Sequence, residues 1–135
     1  MLALLWIHFL QRTISIIGVK TLKETKYKIM FDRIEAGTYM IASALTGGNL
    51  KITNIKPKII KTEIDILRKV GASIKTKDAE LRIIGKNKIN NIKIITSPYP
   101  GFPTDLQAQL MVLLCRAFGR SEIIEKIFEN RFMHA

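Results

Sequence analysis

Asp105 and Arg131 stand out as the side chains able to move a proton or grip an anion. Asp105 comes after a stiff loop, Ser97-Pro98-Tyr99-Pro100-Gly101-Phe102-Pro103, and opens an apolar helical run beginning Leu106-Gln107-Ala108-Gln109. The three prolines fix their own φ angles and push the residues before them out of the helical region, so the loop holds the next helix at a set angle. A carboxylate at this place stabilises a helix start by about 0.3–1 kcal/mol. With one oxygen left free, it can also accept a hydrogen bond from a sugar hydroxyl or take its proton. Arg131 lies in Phe128-Glu129-Asn130-Arg131-Phe132. Its plain reading is a surface arginine paired with Glu129; its chemical reading is a planar fork for a phosphate or carboxylate. A short Ile-rich strand, Glu122 to Ile127, separates the helix stop at Gly119 from this motif, so Asp105 and Arg131 are expected at neighbouring edges of one small α/β unit.

Other reactive types have plainer readings. Cys115 falls on an apolar helix face and reads as a buried structural thiol. His8 and His134 have no companions at ligand spacing, so neither a metal site nor a cofactor is expected. The glycines form neither a dinucleotide fingerprint nor a phosphate loop. One cysteine rules out an internal disulfide and suits a reducing cytoplasm.

Periodicity supplies the scaffold around these residues. Ile14 to Val19 and Tyr27 to Met30 read as short β runs. Asp32-Arg33-Ile34-Glu35 resembles a capping box ahead of a helix carrying Ile34, Gly37, Ile41, Ala44 and Leu45, closed by Gly47-Gly48. Leu50 to Ile55 alternates as a half-buried strand. Ile60, Ile64, Leu67 and Val70 mark a second helix ending at Gly71. Ser73 to Thr76 and Leu81 to Ile84 make a hairpin around Lys77-Asp78-Ala79-Glu80, and Ile92 to Ile95 begins another strand. This βαβαββ order starts again at an offset of 72 residues, with Gly47, Ile52 and Ile55 mapping onto Gly119, Ile124 and Ile127. The second unit stops short at Ala135. Its first helix, Leu106 to Phe118, carries apolar side chains on a wide face, so exposed apolar surface is expected.

At 135 residues and 47% hydrophobic, the chain fits one α/β domain that buries about two-thirds of its unfolded surface. The net charge of +11 invites a nucleic-acid reading. Its lysines are scattered singly without aromatic interleaving, however, which argues against a dedicated nucleic-acid partner. Met1 to Leu10 is apolar but too short to span a bilayer and lacks a basic flank, so no membrane partner is expected. Residues 1–12 read as an apolar leader and 13–135 as the domain.

Three motifs carry a resemblance. Phe102-Pro103-Thr104-Asp105-Leu106-Gln107-Ala108-Gln109, Phe128-Glu129-Asn130-Arg131-Phe132-Met133-His134 and Asp32-Arg33-Ile34-Glu35-Ala36-Gly37-Thr38 resemble the UDP-N-acetylglucosamine 1-carboxyvinyltransferase family. The resemblance runs from about Thr13 to His134 and corresponds to less than a third of a full-length member. It implies part of an inside-out α/β barrel of βαβαββ repeats. The activity it implies is transfer of enolpyruvyl from phosphoenolpyruvate to the 3′-hydroxyl of UDP-N-acetylglucosamine, the opening step of peptidoglycan synthesis in the cytoplasm. By motif, Asp105 would contact that hydroxyl and move its proton. Ile127 would bind the nucleotide sugar through its backbone, and Arg131 would face phosphoenolpyruvate. The family's Lys-Asn pair, its reactive loop cysteine and its late phosphate-clamping arginine fall outside this segment, and Tyr99 replaces the usual histidine. The expectation is a fragment inactive alone. The alternatives are half of a split enzyme, with another chain supplying the missing domain, or a basic nucleic-acid-binding module.

Overall fold

The structure is a computed structural model that describes residues 6–8, 13–15 and 18–135, with side chains from 18 onward. Two short strands, β1 (Trp6–His8) and β2 (Thr13–Ser15), pair antiparallel. They fall within the leader and at the first predicted β run. Residues 18–32 form no helix or strand, so the expected strand at Tyr27 to Met30 is absent. The reason is physical: a β run is stable only with a partner ladder, and Tyr27 and Ile29 are exposed instead.

Helix α1 (Arg33–Thr46) starts at the predicted capping box. Asp32 accepts from the backbone N–H of Ile34 at 2.7 Å and of Glu35 at 3.1 Å. These two bonds satisfy half of the free N–H groups at the helix start. Gly47, at φ 68°, closes the helix in the left-handed region. The chain then runs into β3 (Asn49–Thr53), α2 (Lys61–Val70), β4 (Ser73–Lys77) and β5 (Glu80–Ile84). Strands β3, β5 and β4 form an antiparallel sheet in that order, and the two-residue β4–β5 turn has Asp78 at positive φ. Alternation puts Leu81 and Ile83 of β5 and Ile74 of β4 in the core, with Ile64, Leu67 and Val70 of α2.

Past a loop come β6 (Lys93–Ile95), a 3-10 turn (Thr104–Leu106), α3 (Gln107–Leu114) and β7 (Glu122–Ile124). Strands β6 and β7 pair in parallel, Ile94 opposite Ile123. Helices α1 and α3 lie side by side and run the same way: Gln109 Nε2 donates to the Thr38 hydroxyl, and Arg116 to the Leu45 carbonyl, both across 71 residues. Leu106, Leu110 and Leu113 are fully buried in this seam and the adjoining core. Helix α3 is shorter than the expected Leu106 to Phe118. Its apolar stripe continues to Ala117, but Arg116 and Ala117 donate to the carbonyls three residues back, and Gly119 turns the chain at φ 85°. Cys115 therefore lies past the helix end and is exposed, not buried as expected.

Candidate functional site

The loop ahead of Asp105 is held from several sides. The Ser97 N–H donates to the Phe102 carbonyl at 3.0 Å, and the Gly101 N–H to the Pro98 carbonyl at 2.8 Å. The Thr62 hydroxyl of α2 donates to the Pro100 carbonyl at 2.6 Å. A Cβ on Gly101 would come within 1.7 Å of the Ser97 hydroxyl, so this bend needs glycine. Arg33 at the start of α1 lies over the Tyr99 ring, 5.0 Å from its centre. Phe102 and Leu106 anchor the turn in the core, leaving Asp105 outward between them.

Asp105 sits in the 3-10 turn, two residues past Pro103, which starts it. Its carboxylate accepts from Arg131 Nη2 at 3.1 Å, rather than from the N–H groups of the helix start. Arg131 reaches it because Asn130 adopts a left-handed φ of 56°, reversing the chain after Phe128, over whose ring the guanidinium lies at 5.3 Å. The surface pairing expected with Glu129 is thus replaced by a pairing with the other candidate residue. Asp105 and Arg131 line one cleft of about 420 Å³ with Thr104, Gln107, Asn130 and His134. Ile127 lies beside it, in an adjoining hollow to which Arg131 also contributes.

Two participants were not among the candidate residues, although Gln107 lies within the Asp105 motif. Gln107 is buried, and its amide nitrogen finds no hydrogen-bond partner. Glu125, past the end of β7, accepts from the Thr104 hydroxyl at 2.8 Å, the Ile127 N–H at 2.7 Å and the Phe128 N–H at 3.3 Å. Partial burial pushes its pKa up. The bonds from Ile127 N–H, the Thr104 and Thr96 hydroxyls and Phe128 N–H together outweigh that, so Glu125 titrates below the usual glutamate range. The one available hint was a carboxylate at the end of an apolar strand.

A groove of similar volume runs between α1 and β3, lined by Tyr39, Leu50 and Ile52. Its charged groups are Asp32 and Glu35 at the start of α1 and Lys51, which is paired with Glu80. It lacks the opposed carboxylate and guanidinium of the Asp105 cleft. Among the described residues no three His, Cys, Asp or Glu side chains are grouped to hold a metal ion, and no helix is long and apolar enough to cross a membrane.

Known proteins carry the same segment. A UDP-N-acetylglucosamine 1-carboxyvinyltransferase of Pelagibacter ubique is 68% identical over 124 residues, 92% of this chain and 30% of that protein. The protein of the same name from Geotalea daltonii is 51% identical over 122 residues, 90% of this chain and 29% of that one. The chain thus spans about 30% of the length of the curated relatives it matches. Among solved structures, the enolpyruvyl transferase NikO from Streptomyces tendae superposes with a TM-score of 0.65 at 25% identity, over 78% of this chain and 25% of that one. The family model for EPSP synthase (3-phosphoshikimate 1-carboxyvinyltransferase) matches residues 8–135, nearly the whole chain, with the proline loop, Asp105 and Arg131 inside the match, and the chain therefore belongs to the EPSP synthase family of enolpyruvyl transferases.

Proposed function

We propose that this chain supplies one wall of the active site of a UDP-N-acetylglucosamine 1-carboxyvinyltransferase. The reaction would move the enolpyruvyl group of phosphoenolpyruvate to the sugar's 3′-hydroxyl in cytoplasmic peptidoglycan synthesis. The observation that carries the reading is the 3.1 Å contact between Asp105 and Arg131, which brings two motifs 26 residues apart to one cleft. In the net reaction the hydroxyl oxygen becomes bonded to the carbon that carried phosphate, the hydroxyl proton leaves, and phosphate departs. Asp105 is the acceptor for that proton. Arg131 pairs with Asp105 and offers its remaining N–H groups to the phosphate or carboxylate of the donor. The Ile127 N–H is already engaged by Glu125, so its carbonyl is the backbone group open to the nucleotide sugar.

One wall does not make a catalyst, because transition-state stabilisation depends on preorganised groups on every side of the reacting atoms. The isolated chain is expected to bind the sugar nucleotide weakly and to turn nothing over. Turnover requires the rest of the active site, which this segment does not carry. The test is a titration of UDP-N-acetylglucosamine into the isotope-labelled chain, monitored by nuclear magnetic resonance. Shifts clustered at residues 104–108 and 127–134 are expected. No shifts, or a cluster on the β3–β5–β4 sheet, would overturn the assignment, and a preference for shikimate 3-phosphate would move it to the sister reaction. Phosphate release by the chain alone, lost in Asp105→Ala, would refute the claim of inactivity.

A further inference from the structure

The Asp105–Arg131 contact needs something to hold it. Both side chains are largely exposed, at 58% and 41%, and an exposed ion pair contributes too little to fix two chain segments. Arg131 lies on a tail, Phe128 to Ala135, in which Ala135 donates to the Phe132 carbonyl, a bond within the tail itself. Strand pairing between β6 and β7 ends at Ile124. Between the turn that carries Asp105 and the segment that carries Arg131, the described residues make one other hydrogen bond. It runs from the Thr104 hydroxyl to Glu125.

Glu125 uses both carboxylate oxygens. One accepts from Thr104, next to Asp105; the other accepts from the N–H groups of Ile127 and Phe128, which start the turn to Arg131. An ionised carboxylate has lone pairs for all three donors at once, and such charge-assisted bonds are about twice as strong as neutral ones. Thr96, just past β6, steadies the same corner: its hydroxyl accepts from the Lys126 N–H at 2.9 Å. We propose that Glu125 is a positioning residue, which clamps the Thr104–Asp105 turn to the Ile127–Arg131 turn and so sets the spacing of carboxylate and guanidinium in the cleft. This inference rests on the site reading above, but its test needs no substrate.

The experiment uses the full labelled chain and reads the guanidinium resonances of Arg131. In the parent, Asp105→Asn shifts them, because that substitution removes the charge Arg131 points at. In Glu125→Ala and in Thr104→Val this response to Asp105→Asn is expected to disappear, while amide shifts of the β4–β5 hairpin stay in place. Glu125→Gln keeps part of it, since its amide oxygen still accepts from Ile127 and Phe128 and its nitrogen can donate to the Thr104 oxygen. Should Glu125→Ala disturb the hairpin as well, Thr104→Val decides, because it removes only the cross-link. A full Arg131 response in folded Thr104→Val overturns the clamp. The two readings fail separately. A persistent response together with UDP-N-acetylglucosamine shifts at the cleft sinks only the clamp, whereas a lost response without such shifts sinks the substrate assignment.

Discussion

Glu63 and Glu125 are both carboxylates within the fold, and their surroundings push them in opposite directions. Glu63 is only 2% exposed, and neither of its oxygens makes a well-formed hydrogen bond; Arg33 Nε lies 3.4 Å away. Burial pushes its pKa up, offset in part by its own backbone N–H and by the charge of Arg33. A carboxyl whose pKa is higher folded than unfolded binds more protons in the native state, so stability falls as pH rises across that interval. Denaturant midpoints of the parent and Glu63→Gln at pH 5 and pH 7.5 should show this. The parent is expected to lose more stability toward pH 7.5 than the variant, and equal slopes would contradict it. Glu125 has the reverse sign: its pKa is lowered, so its contribution is present above the unfolded value and is lost as pH falls through the folded one. Asp105→Asn belongs to a third case. Its partner is an exposed arginine, so the expected stability cost is below about 1 kcal/mol by chemical denaturation, and a large loss of ligand affinity in that variant would then report the ligand.

Helices α1 and α3 meet where Gly37 faces Leu106. A Cβ on Gly37 would fall 2.4 Å from a Leu106 methyl, and Leu106 is fully buried with little room to retreat. Two effects compete in Gly37→Ala. Helix propensity favours alanine by about 1 kcal/mol, while overpacking a filled core costs about 1–3 kcal/mol. The clash is with a buried side chain, so overpacking should win, and a net destabilisation of about 1 kcal/mol is expected from urea melts. Leu106→Ala alone should cost about 2–5 kcal/mol, and the double variant should be more stable than the sum of the two predicts, since the new methyl partly fills the hole. Additive costs would mean the helices do not meet here. The sequence offered no sign of this seam beyond the 72-residue offset, yet local signals placed α1, β3, α2 and the β4–β5 hairpin to within a few residues. Each of these has its own punctuation: Asp32, Gly47, Gly71 and the Asp78 turn. Two of the segments that differ had none. Tyr27 to Met30 alternates like a strand but finds no ladder, and Glu122 to Ile127 reads as one strand yet ends at Ile124, because Glu125 takes the N–H groups of Ile127 and Phe128. The meeting of Asp105 and Arg131 was legible because the proline loop bounds the turn that carries one and an apolar run leads into the motif that carries the other; Glu125 was not, because a carboxylate's hydrogen-bond partners are set by tertiary contact.

Across the whole molecule, two properties pull against each other. The net charge is +11, which repels like copies. Several large apolar side chains nevertheless face water, among them Tyr39 on α1 at 58%, Val112 on α3 at 55% and Phe118 at 70%. Scattered exposed apolar residues are ordinary, but these three belong to α1, α3 and the turns just beyond, the helical layer whose inner face builds the core. At low ionic strength charge repulsion keeps copies apart. At about 0.1 M salt the Debye length is only about 10 Å, and repulsion no longer reaches beyond contact distance. Self-association measured by sedimentation is therefore expected to rise with salt, together with binding of a dye that lights up on apolar surface. Replacing Tyr39 and Val112 with lysine should lower both readouts while leaving the β4–β5 hairpin unchanged. The same salt series separates the basic-module alternative, because attraction to a nucleic acid weakens as added salt reduces the gain from counterion release. Association that fell with salt, and binding to a random oligonucleotide that fell in parallel, would mean that the charge and not the apolar helical layer governs which molecules this chain meets.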